Sequence, residues 1–249
     1  MFTDADAAAL YDTQYPWDGA RRDARFYDPL VNGARDVLDV GCGTGAMLIH
    51  ARSTGHDGRL TGLDPDEAML DRARRCTDVE WVNGVAADAT WHREFDLATM
   101  TGNAFQCLIG DADVRASLAA IGSALRVGGR FAFECRHVQE RAWEQWNPSN
   151  ASDVTMADGR VLRVWHEIES VVDAVVTMTE TTADPTGDVL RVDRGRLRFM
   201  DVPTLNGLLS SAGFEIETQH GDWRGGPVTS TSGMILTVAR VQSRRTASS

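Results

Sequence analysis

The sequence predicts an α/β fold, in which a mostly parallel sheet carries an inserted antiparallel β segment. Between residues 36 and 135, short apolar strands alternate with single amphipathic helices, a pattern typical of right-handed βαβ crossovers. From about residue 151 to residue 200, polar and apolar residues alternate, which is typical of antiparallel strands. A helix over 202–212 and two short strands then complete the predicted sheet.

The strands and helices of the first half follow from apolar runs and capping residues. Pro65 is predicted to open a helix over 66–75, and Asp111 to cap a second helix that the pair Gly128-Gly129 ends. In the inserted segment, Asp158-Gly159 predicts a hairpin turn between two of three or four strands. The predicted parallel strands lie at 36–41, 59–64, 79–84, 95–100 and 130–135.

Composition narrows the range of functions. The 249 residues are 43% apolar and carry a net charge of −11, which disfavours a nucleic-acid partner because phosphate binding needs a basic surface. The four cysteines form no C-x-x-C pair, so we expect reduced thiols in a cytoplasmic protein, without metal or disulfides. We expect no signal peptide, because the N-terminal segment has early acids and no basic flank before an apolar run. We expect no membrane span, because no apolar run is long enough.

The most informative motif is VLDVGCGTG, in which Gly41, Gly43 and Gly45 follow the first predicted strand. Glycines at alternate positions let the backbone turn tightly and approach a ligand closely. The spacing also satisfies the dinucleotide pattern G-x-G-x-x-A, and Asp64 at the end of the second strand suits either a NAD ribose or an adenosylmethionine ribose. Asp39 favours the second ligand, because a carboxylate can balance a methionine ammonium but would repel a pyrophosphate.

Four motifs together resemble class I S-adenosylmethionine-dependent methyltransferases, over roughly residues 30–140. The resemblance implies a Rossmann-like sheet of seven strands with the last one antiparallel, S-adenosylmethionine as cofactor and S-adenosylhomocysteine as product. The four motifs are VLDVGCGTG, GLDPDEAML, FDLATMTGNAF and LRVGGRFAFE.

The same resemblance implies roles for individual residues. The three glycines would lie near the methionine part of the cofactor, with Asp39 near its amino group. Asp64 would bind both ribose hydroxyls, and Pro65 would pack beside the adenine.

The sequence departs from the family where an acid often binds the adenine amino group. Gly84, which ends the third predicted strand, is followed by Val85 rather than by an acid. We therefore assign the adenine contact to Asp88, with the backbone of Ala87 and Ala89 nearby. The alternative is that Asp88 only caps a turn.

Candidate residues for the methyl acceptor follow the fourth and fifth strands, because open α/β sheets bind ligands at those ends. After the fourth strand, Thr101, Gly102 and Asn103 are predicted to contact the cofactor, and Phe105 and Gln106 the substrate; a plain polar loop is the alternative. After the fifth strand, His137 is the best placed base, although an ordinary hydrogen-bonded histidine is the alternative. Glu134 is a second catalytic candidate, and Arg136 is predicted to bind substrate.

Aromatic residues supply the remaining substrate candidates: Tyr11, Tyr15 and Trp17 near the N-terminus, Trp165 in the inserted segment and Trp223 in a late loop. Related enzymes use such an N-terminal segment as a lid, and plain packing is the alternative. Trp165 and His166 are adjacent and face opposite sides of a strand, so only one can face the substrate.

These observations define five regions. They are N-terminal lid helices (1–30), a cofactor-binding core (31–150), an inserted β segment that covers substrate or forms a dimer contact (151–200), a C-terminal helix and strands (201–242), and a flexible tail (243–249).

The sequence therefore predicts an S-adenosylmethionine-dependent methyltransferase that acts on a small molecule, with nitrogen slightly favoured over oxygen as the acceptor. The alternatives are a cofactor-binding protein without catalysis and an NAD(P)-dependent oxidoreductase. A homodimer is left open, and neither a nucleic acid nor a membrane is expected as a partner.

Overall fold

The computed structural model describes residues 2–18 and 21–242, so the predicted flexible tail lies outside the described residues. The main sheet has seven strands in the order β10-β11-β5-β4-β1-β2-β3. The strands are β1 (Asp36–Val40), β2 (Arg59–Asp64), β3 (Glu80–Asn83), β4 (Phe95–Met100), β5 (Leu125–Arg136), β10 (Phe214–His220) and β11 (Met234–Val241).

The pairing of these strands confirms the predicted topology. Strands β1 to β5 are parallel to one another, whereas β11 runs antiparallel to both β5 and β10. The strand order reverses between β1 and β4, and a crevice opens at the carboxyl ends of strands at such a switch point.

Helices cover both faces of the sheet, because successive strand residues point to opposite sides. One face is covered by α2 (Ala24–Asn32) and α3 (Ala46–Ser53), and Val37 packs with these helices. The other face is covered by α5 (Asp111–Ala124) and α6 (Val202–Ser211), and Leu38 packs with these. Helix α4 (Glu67–Ala73) lies between β2 and β3 in the chain.

Two predicted helix boundaries were wrong. Gly128-Gly129 does not end α5, which stops at Ala124; the two glycines lie within β5, where the pairing with β4 shifts register and forms a bulge-like irregularity. Asp111 is not the cap of α5. Gly110 occupies that position, and its N–H donates to the Asp113 carboxylate at 3.1 Å.

The inserted segment forms a separate four-stranded antiparallel sheet, in the order β6-β7-β8-β9. As predicted, Asp158 and Gly159 make the turn between the first two strands, and the positive φ of +85° at Gly159 suits glycine. The strands are β6 (Ser152–Thr155), β7 (Val161–Val172), β8 (Val175–Ala183) and β9 (Val189–Arg198).

The N-terminal helix α1 (Asp4–Gln14) contacts both the core and the inserted sheet. Asp12 pairs with Arg72 of α4 at 2.6 Å, and Asp6 pairs with Arg160 beside β7 at 3.0 Å. Asp4 and Arg191 of β9 form a further ion pair. The helix therefore bridges the two sheets. Among the described residues, no helix is long and apolar enough to cross a membrane.

Trp81 fixes the packing between β2 and the loop after β1. Its indole N–H donates to the carbonyl of Cys76 at 2.9 Å. A Cβ on Gly62 would lie 2.5 Å from the indole ring, and a Cβ on Gly45 would lie 2.2 Å from it. Both glycines are therefore required by the position of this side chain.

We expect Gly62→Ala to destabilise the protein by about 1–3 kcal/mol, because the added methyl group overpacks a site that the Trp81 ring fills. Urea denaturation measures the change. The matched control is Gly207→Ala, which adds a methyl group with no heavy atom within 4 Å and should raise stability by up to about 1 kcal/mol through helix propensity. An equal effect of the two changes would contradict this account of Gly62.

Candidate active site

A cavity of about 610 Å³ lies at the carboxyl ends of β1, β4 and β5, facing the inserted sheet. Its size suits a small-molecule site. The residues around it come from α1, from the loops after β1, β4 and β5, from β7 and β8, and from the segment between β10 and β11; they include Tyr11, Asp39, Gly41, Gly102, Glu134, Arg136, His166, Glu180 and Trp223.

The three glycines of the loop after β1 all have a positive φ, at +72°, +55° and +76° in chain order. A Cβ on Gly41 would lie 2.6 Å from the Cβ of Ala104, whereas a Cβ on Gly43 meets only the Tyr11 ring, at 4.0 Å. Protein neighbours therefore exclude a side chain at Gly41, as Trp81 does at Gly45. Gly41 lines the cavity, and Gly43 lies beneath Tyr11 of α1.

The Asp39 carboxyl group faces the cavity although its residue is only 1% exposed. Burial raises its pKa to about 7, against the opposing effect of a hydrogen bond from the Thr99 hydroxyl. That hydroxyl donates to Asp39 Oδ1 at 2.8 Å. A cation placed in the cavity would stabilise the ionised form of this carboxyl group.

Asp64 connects the end of β2 to the glycine loop. Its Oδ2 accepts the N–H of Gly43 at 2.7 Å, and its Oδ1 accepts the N–H of Asp66 at 2.8 Å. Burial raises the pKa of Asp64, and these two backbone bonds oppose that effect. The carboxylate is thereby held in one orientation at the edge of the loop.

The candidate adenine contacts follow the ends of β2 and β3. Asp88 and Ala87 are exposed on a short 3₁₀ turn after β3, followed by the half-buried Ala89. The Pro65 carbonyl accepts a hydrogen bond from the Asn83 side chain at 3.2 Å. Neither these residues nor Asp64 line the large cavity. Tyr11 lines both that cavity and a second one of about 200 Å³, which is bounded by residues of α4.

Glu134 is held by hydrogen bonds to both of its carboxylate oxygens. The N–H of Gly102 donates to Oε1 at 2.6 Å, and the buried Tyr27 hydroxyl donates to Oε2. Burial raises the pKa of Glu134 to about 7. The residue lines the cavity and fixes the loop after β4, in which Thr101, Gly102 and Asn103 also line it.

Three further predicted site residues, His137, Phe105 and Gln106, also lie outside the cavity. His137 is buried, and its Nδ1 accepts the N–H of Gln139 at 3.3 Å as the cap of a 3₁₀ turn. Phe105 stacks on Phe133 in the core, with ring centroids 4.3 Å apart. Gln106 is fully buried; its amide group bonds the backbone of Arg198 and Arg136. The short turn after β4 directs the last two side chains into the core rather than toward a ligand.

The inserted sheet places His166, rather than Trp165, toward the cavity. The Trp165 indole N–H donates to Glu167 at 3.2 Å on the opposite face of β7. His166 lines the cavity, and its Nε2 lies 2.8 Å from Oε2 of Glu180. The prediction chose the wrong member of this pair because strand parity alone does not say which face is inward.

The other aromatic candidates line the cavity, together with Arg136. Tyr11 and Tyr15 come from α1 and the residue after it, with ring centroids 5.0 Å apart. Burial raises the pKa of Tyr11 to about 12, so its hydroxyl stays protonated. Trp223 packs against Tyr27, with ring centroids 6.3 Å apart, and Trp17 also contributes to the wall.

Several cavity residues had no signal in the sequence, because charged residues in loops and on exposed strands are common. Only the spacing of Met178 and Glu180, two apart on β8, could have placed them on one face. The residues missed include Arg21, Arg22, Asp23, Glu140, Met178, Glu180, Asp222 and Met234.

Comparisons with known proteins agree with this geometry. Residues 37–129 match the family model of a methyltransferase domain. The chain is 28% identical over 223 residues to the cypemycin N-terminal methyltransferase of Streptomyces sp., covering 84% of each chain. It is 27% identical over 229 residues to the glycine/sarcosine N-methyltransferase of Parasynechococcus marenigrum, covering 88% of this chain and 78% of that one.

A solved structure is also similar. The structure of S-adenosylmethionine-bound CalS10, an amino pentose methyltransferase from Micromonospora echinaspora, superposes with a TM-score of 0.64 at 24% identity, covering 96% of this chain and 91% of that one.

In its seven-stranded sheet, its glycine loop and these matches, the chain is similar to the class I S-adenosylmethionine-dependent methyltransferases. The protein is an enzyme that uses S-adenosylmethionine as its methyl donor.

We expect Glu134→Gln to gain stability relative to the parent by about 1–3 kcal/mol as pH rises from 4.5 to 7. With a folded pKa of about 7, the parent carboxyl group is still protonated in the folded state where the unfolded chain has lost its proton. Folding then takes up a proton, and the parent's stability falls with rising pH. Urea denaturation at several pH values measures the difference.

The matched control is Glu217→Gln on β10, where a hydrogen bond from Arg130 lowers the pKa of the glutamate. The folded state there favours the ionised form, so this variant should lose stability relative to the parent as pH rises through the range where the unfolded glutamate titrates. The same slope for both variants would contradict the assignment of a raised pKa to Glu134.

Proposed function

We propose that this enzyme transfers the methyl group of S-adenosylmethionine to the nitrogen of a small-molecule amine. The observation that carries the proposal is the set of carboxylates on the cavity wall, Glu140, Glu180 and Asp222, which accompany the arginines of the same wall. Carboxylates attract an ammonium group and repel anionic acceptors. The printed names of two relatives, an N-terminal methyltransferase and a glycine/sarcosine N-methyltransferase, support a nitrogen acceptor.

The residues of the core fit the cofactor. Asp39 is a buried carboxyl group, and among the described residues its side-chain hydrogen-bond partner is the Thr99 hydroxyl rather than a cation. The ammonium of the methionine part would supply a cation. We assign Gly41 and the segment Thr101–Asn103 to the same part of the cofactor, with Gly43 and Gly45 shaping the loop. When bound, S-adenosylmethionine supplies a strongly electrophilic methyl group, so alignment and exclusion of water account for much of the catalysis.

The ribose and adenine would lie on the far side of Tyr11. We assign both ribose hydroxyls to Asp64, whose carboxylate is already oriented by two backbone N–H groups. Pro65 and the segment Ala87–Ala89 would border the adenine, with Asp88 as the candidate for its amino group. The exposed position of Asp88 leaves it accessible for that contact.

The N-terminal region and the inserted sheet would enclose the acceptor. We assign residues 1–30 to a lid, because α1 places Tyr11 and Tyr15 on the cavity and is tied to the core through Asp12. The inserted segment 151–200 acts as the acceptor cover. The free thiols of the four cysteines support a cytoplasmic location.

A methylation assay with radiolabelled S-adenosylmethionine tests the proposal. The acceptor panel contains glycine, sarcosine, a peptide with an N-terminal alanine, amino sugars and, as oxygen acceptors, phenols. Turnover of an amine but not of phenols supports the proposal. Turnover of phenols alone, binding of S-adenosylhomocysteine without any turnover, or binding of NAD(P) instead would each overturn it.

Binding of S-adenosylhomocysteine at pH 7 should release about half a proton, because an ammonium beside Asp39 lowers a pKa that burial has raised to about 7. Calorimetry in phosphate and in Tris, whose ionisation enthalpies differ, measures the release. Asp39→Asn should abolish most of it and weaken binding by about 10- to 100-fold. The control Asp153→Asn, at an exposed position of β6, should change neither. Proton uptake by the parent would refute this role of Asp39.

A further inference from the structure

His166 and Glu180 form a pair on the face of the inserted sheet that lines the cavity. They are direct cross-strand partners on β7 and β8, and Nε2 of the histidine lies 2.8 Å from Oε2 of the glutamate. Their side chains are 28% and 33% exposed, respectively, so both can be reached from the cavity. None of the assignments made so far uses this pair in the reaction.

The contact with Glu180 determines which ring nitrogen of His166 can act. A carboxylate accepts hydrogen bonds and donates none when ionised, so Nε2 of a neutral His166 carries the proton. Nδ1 then has a free lone pair, and within residues 2–18 and 21–242 no hydrogen bond to Nδ1 is found. The ring also lies beside Trp146, with centroids 6.3 Å apart, which restricts its rotation.

An amine acceptor requires a proton acceptor. A simple aliphatic amine has a pKa near that of lysine, about 10, so at neutral pH its nitrogen carries a proton in place of the lone pair that attacks the methyl group. Among the cavity residues, Glu134 has both oxygens occupied and the Tyr11 hydroxyl stays protonated. The Nδ1 of His166, by contrast, carries no hydrogen bond among the described residues and can accept a proton.

We propose that His166 is the general base of this enzyme and that Glu180 is its positioning residue; this inference rests on the proposed nitrogen acceptor. The N–H bond of the acceptor ammonium breaks, its electron pair stays on the nitrogen, and the proton forms a bond to Nδ1 of His166. The products of the step are a neutral amine and an imidazolium, which afterwards returns its proton to water.

The charges around His166 suit this step. Glu180 faces it from β8, and Glu140 lines the same cavity from the turn after β5, so two carboxylates attract the positive charge of the imidazolium. The Tyr15 hydroxyl lies near Glu180. Burial raises the pKa of Tyr15, and the charge of Glu180 raises it further. Three arginines, Arg21, Arg22 and Arg136, are the opposing cations of the cavity wall. Arg136 lies over Trp146 and donates to Asn103 at 3.2 Å.

The kinetic test compares His166→Gln with the parent between pH 6 and 10, using the amine of the panel that has the highest kcat/KM. We expect a deficit in kcat/KM of about 100-fold at pH 7, narrowing to less than about fivefold at pH 10, where the acceptor loses its proton to water. Glu180→Gln should show a smaller deficit with the same pH trend. The control Trp165→Phe changes the neighbouring side chain on the other face of β7 and should leave the profile unchanged.

A deficit that stays constant from pH 6 to pH 10 would overturn the role of His166 as a base, because a purely structural role does not depend on the protonation of the acceptor. Loss of activity in Trp165→Phe equal to that in His166→Gln would overturn it as well.

A second measurement does not depend on turnover. Long-range proton–nitrogen NMR of the histidine-labelled protein bound to S-adenosylhomocysteine, with His166→Gln used for assignment, should show a proton on Nε2 and none on Nδ1. A proton on Nδ1 of the neutral ring would overturn the proposal. If no amine in the panel is methylated, the proposed function fails, and the proposed base fails with it even if the NMR result confirms the ring arrangement.

Discussion

Two carboxyl groups, those of Asp39 and Glu134, lie buried at the carboxyl ends of β1 and β5, and the geometry of the cavity depends on them. Burial favours the neutral form of each, and both have a pKa near 7. Buried carboxyl groups destabilise a fold unless they are hydrogen-bonded. Each of them is, through Thr99 in one case and through Gly102 and Tyr27 in the other, so the hydrogen bonds that offset burial also fix β4 and the loop after it.

Much of this architecture could be predicted because its signals are local. Strand β1 is read from an apolar run that ends in glycines, and the hairpin from Asp158-Gly159. The parallel order follows from helices that separate the strands. The sequence predicts that Gly45 lies near a ligand. In the structure its missing side chain makes room for Trp81, which lies 36 residues further along the chain.

Site residues were harder to predict because their use depends on where a turn directs each side chain. Phe105 and Gln106 follow the fourth strand as expected, yet the 3₁₀ turn after Asn103 directs both into the core. His137 follows the fifth strand but caps a turn. Glu180 gave no signal of its own, because only the pairing of β7 with β8 brings it beside His166.

Ion pairs join the inserted sheet to helix α1, and these two elements are the walls of the acceptor site. The face of β8 and β9 that carries Glu180 continues to Arg191, which pairs with Asp4 of α1, and Arg160 beside β7 pairs with Asp6. Helix α1 in turn places Tyr11 over the glycine loop. Because each exposed ion pair contributes at most about 1 kcal/mol, the packing of Leu10 against Met156, Leu162 and Val164 must supply much of this attachment. A displacement of α1 from the inserted sheet would therefore open the acceptor wall and uncover the glycine loop together.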